Sequence, residues 1–190
     1  MYVFFPYEVK GKDNLAELKG GFLICSNHIS NLDAIFISVA LNRKVYFLAK
    51  AELFKNPIFS FFLKKFGAIC IKRGEHDLQA LSQAEEILKS NQILGIFIEG
   101  TRSKTGKFLR PKSGATIIAN ETQSKILPIC ITPLEGKSVK IFKKTIVSLG
   151  PPIDKITLES KEYKEIRHNT EFIMNEIKKL RTPVSNDVLC

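Results

Sequence analysis

The chain has 190 residues, a length within the range of one domain, and 44% of them are hydrophobic, enough to fill a substantial core. Its 29 Lys and Arg against 19 Asp and Glu give a formal net charge of +10, which attracts anions and anionic surfaces without choosing among nucleic acid, anionic lipid and phosphorylated substrate. Several classes are excluded by the same count. The four cysteines are widely spaced, and Cys25, Cys70 and Cys130 each sit in a short apolar run, as buried core residues of a protein in a reducing cytoplasm do. No cysteine pair has metal-ligand spacing, and with three histidines nothing calls for bound zinc or any other metal. The apolar run of residues 34–41 is far short of the ~18 residues that span a bilayer. The start MYVFFPYEVKGK lacks the basic leader and apolar stretch of a signal peptide, so none is expected.

In chain order, the strand candidates are GFLIC (21–25), VYFLA (45–49), AICI (68–71), ILGIFI (93–98), ILPICI (126–131) and TIVSL (145–149). Between them, residues 77–90 place Leu78, Leu81, Ala84 and Leu88 on one helical face. Near the end, Tyr163, Ile166, Thr170, Ile173, Ile177 and Leu180 form the stripe of a long helix. Short apolar runs alternating with amphipathic ones predict an α/β fold, a mostly parallel central sheet flanked by helices. A single domain over residues 1–190 is expected, with residues 182–190 free to fray. No repeat or low-complexity segment interrupts it.

The chemistry concentrates in CSNHISNLDA (25–34), which leaves a strand and enters an apolar helix, at the carboxyl end of a strand where α/β active sites collect. His28 can accept a proton near neutral pH, and Asp33 can orient its imidazole and stabilise the cation. Five residues apart, the two require a turn, for which Ser30 and Asn31 are suited. The alternative is structural: Ser30 and Asp33 also fit a capping box, and His28 could satisfy a loop carbonyl. Ser26 lies in no nucleophile-elbow pattern.

A second segment, FIEGTRSKTGKFLRPKSG (97–114), carries Gly100, which permits close backbone approach, and Arg102, which can grip phosphate through two parallel charged hydrogen bonds. Lys104, Lys107, Arg110 and Lys112 add positive field, although for Lys104, Lys107 and Arg110 a solvated loop is the simpler reading. A third, GAICIKR (67–73), ends a buried strand with Lys72 and Arg73, which could face the same site.

In order and spacing these blocks resemble the lysophosphatidate acyltransferase family, also called 1-acylglycerol-3-phosphate acyltransferases. Asn27, His28 and Asp33, with Ser30, match its His-x4-Asp block. Residues 67–73 match its Gly-led strand ending in Arg, and Glu99, Gly100, Thr101 and Arg102 match its Pro-Glu-Gly-Thr-Arg block. Leu127, Pro128 and Ile129 match the apolar block around a proline. The resemblance covers residues 21–149 or so. It departs where Ile98 stands for the usual Pro, lengthening the apolar strand by a residue, and where Cys70 stands for a frequent Phe. Many relatives also carry a helical membrane anchor before the first block, where this chain has about twenty residues.

The resemblance implies that His28 takes the proton of an acceptor hydroxyl as it attacks the thioester of acyl-CoA or acyl carrier protein, with Asp33 holding the imidazole. Lys72, Arg73, Glu99, Gly100, Thr101 and Arg102 would bind the acceptor, a lysophospholipid such as 1-acyl-glycerol-3-phosphate, largely through its phosphate. Neither metal nor cofactor is implied. The aromatic stretch LFKNPIFSFFLKKF (53–66) suits an acyl tunnel or a membrane-facing surface, the alternative being a plain amphipathic core helix. With the charge it predicts a peripheral enzyme on the anionic, cytoplasmic face of the cell membrane. An esterase or thioesterase would need no cationic loop. A non-enzymatic basic module that binds lipid or nucleic acid would explain the charge but not the His28 and Asp33 spacing, and no basic helix with interleaved stacking aromatics favours nucleic acid.

Overall fold

The computed structural model describes residues 4–50, 54–55, 67–71, 77–160 and 162–183. The Lys72 and Arg73 pair, the aromatic stretch apart from residues 54–55, and residues 184–190 of the tail lie outside them. Successive elements are β1 (Tyr7–Lys10), a short 3-10 helix (Lys12–Leu15), β2 (Leu23–Ser26), α1 (Asp33–Leu41), β3 (Val45–Lys50) and β4 (Ala68–Ile71). There follow α2 (Asp77–Lys89), β5 (Ile93–Phe97), α3 (Gly114–Thr122), β6 (Ile126–Pro133), β7 (Thr145–Leu149) and α4 (Tyr163–Lys179).

The seven strands form one sheet in the order β1-β7-β6-β2-β5-β3-β4. All pairings are parallel except β6 with β7. The sheet is buried on both faces, so its central strands read as unbroken apolar runs instead of alternating ones. The period of two divides each run between the faces. Leu23, Cys25, Leu94, Ile126 and Cys130 pack against α2, α3 and α4. Ile24, Ile93, Leu127, Ile129 and Ile131 pack against Phe36, Ile37, Ala40 and Leu41 of α1. Two short helices stop where one residue turns left-handed: Asn42 (φ 51°) closes α1 and Gln123 (φ 49°) closes α3, each returning its N–H to carbonyls of the last turn.

The mostly parallel sheet flanked by helices is as expected, and each of the six strand candidates is a strand. Three features were not anticipated. β1 is a short edge strand that pairs with β7. β7 runs antiparallel to β6, a direction that no local pattern encodes. And residues 114–122, which belong to none of the strand or helix candidates, form α3, whose Ala115, Ile118 and Ala119 are buried at helical spacing. The stripe on α4 is correct at Thr170, Ile173 and Ile177, but Tyr163, its first residue, is 71% exposed and packs into no core.

Helices α3 and α4 are joined by a buried pair of hydroxyls, Thr116 Oγ1 and Thr170 Oγ1, 2.7 Å apart. The Thr170 hydroxyl donates to the Ile166 carbonyl, so Thr116 supplies the proton between the two. Thr170→Val therefore strands a buried donor on Thr116 and is expected to cost about 1–3 kcal/mol in urea unfolding, whereas Thr116→Val removes that donor itself and is expected to cost less.

Candidate active site

β2 and β5 are adjacent and parallel, with Ser26 opposite Phe97, so the loops that follow them rise side by side from the same end of the sheet. That juxtaposition brings residues 27–32 against residues 98–113. The first turns off β2 at Asn27, whose amide replaces a strand partner: the Ile131 N–H donates to Oδ1 at 2.8 Å and Nδ2 donates to the Ile131 carbonyl at 3.0 Å. His28 follows at once.

Asp33, the first residue of α1 and wholly buried, points its carboxylate back over this turn. Its Oδ2 accepts three hydrogen bonds, from the Ile29 N–H at 2.7 Å, the Ser30 N–H at 2.8 Å and the His28 ring at Nδ1, 2.8 Å away. Ser30 Oγ accepts the Leu32 N–H, closing the turn. The expected pairing of His28 with Asp33 is present; of the structural alternative only the Asp33 bond to the Ser30 N–H is seen, and the His28 ring is held by Asp33 and not by a loop carbonyl. Since the carboxylate only accepts, Nδ1 is the donor in this pair, and the neutral tautomer that fits it leaves the lone pair on Nε2. The His28 side chain is 18% exposed, which gives a ligand access to it.

The ring also has a floor. Phe97, the last residue of β5, lies flat beneath the imidazole with centroids 3.9 Å apart and planes 9° from parallel. Phe47 of β3 stacks on Phe97 in turn at 5.3 Å and 14°. The stack exists because Gly95 has no side chain: a Cβ there would be driven into the Phe47 ring. Neither aromatic was anticipated; the signal lay in a glycine at the centre of an otherwise apolar strand.

Glu99 is placed differently from expectation. It is 1% exposed and turned inward, Oε1 accepting the His28 N–H at 3.2 Å and Oε2 the Leu109 N–H at 3.0 Å. With both oxygens occupied by backbone donors it joins the two loops and does not face an anionic ligand. Burial raises its pKa above the ordinary carboxylate value, against the two N–H donors that lower it, with the Asp33 charge adding to the rise. The folded chain thus holds this proton more tightly than the unfolded one. Its contribution to stability is greatest below the unfolded pKa and is lost as pH rises through the folded one.

Further bonds lock the loops together: Ser103 N–H donates to the His28 carbonyl at 2.8 Å and Lys112 N–H to the Ile98 carbonyl at 2.7 Å. Ile98 lies just past the end of β5, yet its own N–H donates to the Ser26 carbonyl at 3.0 Å, a bond a proline could not make. Gly100 takes a positive φ of 67° and directs Thr101 and Arg102 outward, both exposed, on the loop beside His28. Lys72 and Arg73 lie outside the described residues. Cysteine chemistry is ruled out at Cys25 and Cys130: burial pushes the first thiol up strongly and the second to about 11, so both stay protonated and inert.

An oriented histidine beside a cationic loop, at the carboxyl ends of a mostly parallel sheet, is an arrangement chemically suited to draw the proton from a hydroxyl that attacks a carbonyl. Residues 6–132 match the model of the acyltransferase family, and the chain belongs to that family. It is 33% identical over 180 residues to the 1-acyl-sn-glycerol-3-phosphate acyltransferase of Bacillus subtilis, covering 91% of this chain and 87% of that one. With the enzyme of the same name from Helicobacter pylori it is 39% identical over 126 residues, covering 65% of this chain and 52% of the other. The crystal structure of the 1-acyl-sn-glycerophosphate acyltransferase PlsC from Thermotoga maritima superposes with a TM-score of 0.72 at 27% identity, over 97% of this chain and 76% of that one.

The support of His28 by its stacked floor is open to direct measurement. Phe97→Leu is expected to remove the ring current on the His28 imidazole and shift its proton resonances. Gly95→Ala is expected to shift the same resonances through Phe47 while leaving those of His168, remote from the stack, in place. Crowding at Gly95 is also expected to cost about 1–3 kcal/mol of stability.

Proposed function

We propose that this protein transfers a fatty acyl group from an acyl thioester, acyl-CoA or acyl carrier protein, to the sn-2 hydroxyl of 1-acyl-glycerol-3-phosphate, giving phosphatidate for phospholipid synthesis. The observation that carries the reading is the His28 imidazole fixed through Nδ1 on a buried carboxylate, which leaves Nε2 to act as base. The acceptor is that of the relatives, which are 1-acyl-sn-glycerol-3-phosphate acyltransferases.

In the reaction Nε2 removes the acceptor's hydroxyl proton as the oxygen attacks the thioester carbon. Asp33 stabilises the imidazolium so formed, and its three donors keep that carboxylate in place. When the tetrahedral intermediate collapses, the C–S bond breaks and the imidazolium returns its proton to the departing thiolate. No acyl-enzyme, metal or cofactor is required. Arg102, exposed on the loop beside His28, grips the acceptor phosphate with the help of the Gly100 and Thr101 backbone, and Lys72 and Arg73 are assigned the same task from their place in the sequence. Glu99 serves this site by holding the two loops in register.

Because both substrates carry tails that partition into lipid, the enzyme works at a membrane surface, on the anionic cytoplasmic face. Among the described residues no helix is long and apolar enough to cross a membrane, and the net charge of +10 suits peripheral attachment.

His28→Ala is expected to lower kcat by about 100-fold or more without unfolding the protein, read in a labelled acyl-CoA assay with lysophosphatidate. Near-normal turnover would exclude the mechanism. Asp33→Asn can still receive the three donors on its amide oxygen but offers no charge to the imidazolium, so its loss is expected in kcat with the fold retained. Arg102→Lys keeps the charge and loses the two-pronged grip, and is expected to raise the KM for lysophosphatidate with kcat little changed. If instead the KM for the thioester alone rises, Arg102 belongs to the donor's phosphates.

A further inference from the structure

We propose that the loop between β6 and β7, together with Phe4, is the surface that seats the active-site end of the molecule on an anionic bilayer; this rests on the reading that the acceptor is drawn from a membrane. β6 runs parallel to β2, so the loop that leaves Pro133 emerges at the sheet end that carries His28. β1 starts from that same end, because it pairs in parallel with β7, which runs against β6. The loop touches the site's own walls: Ser138 Oγ donates to the Ile29 carbonyl at 2.8 Å, and Gly106 lies against Lys137, where a Cβ would sit 3.1 Å from its Cα.

Three of the six large hydrophobic side chains exposed among the described residues are gathered here: Phe4 at 58%, Ile141 at 57% and Phe142 at 65%. The Phe4 and Phe142 rings lie 5.9 Å apart, and the Phe142 N–H donates to the Phe4 carbonyl at 2.8 Å. Phe142 is held at φ 60°, in the left-handed region that costs a non-glycine residue energy, and its ring is nevertheless left in solvent. Isolated exposed apolar residues are ordinary, but a paired cluster at a loop tip is not.

The charges around it favour lipid. Lys143 and Lys144 are paired with Glu135 and Glu8, but Lys137 and Lys140 are exposed with no acidic partner among the described residues. Arg102, Lys104 and Lys107 stand exposed on the neighbouring loop. Apolar tips among lysines match the boundary between anionic headgroups and acyl chains, where the rings enter and the cations stay among phosphates. Three side chains are far too few for a stable protein interface, which buries about 800 Å² on each partner.

The chain has no tryptophan, so Ile141→Trp is a reporter on a silent background. With vesicles of phosphatidylglycerol and phosphatidylcholine its emission is expected to shift to the blue and to be quenched by brominated acyl chains, and to do neither with phosphatidylcholine alone. The double variant Ile141→Ser/Phe142→Gly is expected to partition onto the anionic vesicles at least tenfold more weakly than wild type. Its turnover of short-chain, water-soluble acceptor and donor should be unchanged, since glycine adopts the Phe142 backbone freely. Protein that binds the vesicles while the emission of the Ile141→Trp variant stays unmoved would overturn this surface and leave membrane action standing. Wild-type protein that stays in solution with both vesicle types would remove membrane action and this surface with it. A shift caused by an acidic carrier protein and not by vesicles would assign the patch to that protein, and a loss of soluble-substrate turnover in the double variant would make the loop part of the catalytic framework instead.

Discussion

The whole site depends on one buried oxygen. Asp33 Oδ2 sits where the start of α1 meets the turn out of β2, and three donors converge on it within 2.8 Å. A carboxylate with no exposure has lost its water, and these donors stand in its place. The two loop N–H groups therefore stabilise the charge that holds the imidazole, and the charge in return makes the loop rigid. Its partner atom, Oδ1, is buried and accepts no hydrogen bond among the described residues, so the stabilisation falls on the oxygen that faces His28.

The imidazole is restrained in two directions that have different physical origins. In its plane, the Asp33 hydrogen bond sets the tautomer and the rotation of the ring. Out of its plane, Phe97 sets the height, with Phe47 beneath it and the bare backbone of Gly95 beneath that. Glu99 then joins the His28 loop to Leu109 on the second loop, so two separate segments are tied together through one carboxyl group. Preorganisation of this kind is what lets a general base meet a bound hydroxyl without reorganising first.

The exposed surface of the same sheet end follows from topology in a similar way. Parallel β2, β5 and β6 all finish there, and the reversal of β7 brings β1 and the chain before it to the same side. Cationic loops, the histidine and the Phe4, Ile141 and Phe142 cluster are thus neighbours although they come from four distant parts of the chain.

Much of this was legible in residue order alone. Buried parallel strands must be continuous apolar runs, so the six runs named themselves, and a histidine and an aspartate flanking a turn at a strand end declared their pairing. The Glu-Gly-Thr-Arg block announced its relation to that pair by type, but not its division of labour. Arg102 points outward while Glu99 turns inward, because only the folded chain puts the N–H groups of His28 and Leu109 within reach of one carboxylate. Strand order, the reversal of β7, the Phe47 and Phe97 floor and the gathering of Phe4 with Phe142 were likewise decided in three dimensions. Local pattern records which face a residue turns to the core, a property of period and polarity. Which other segment waits on that face is set by how the sheet is ordered, and no short stretch of sequence carries that information.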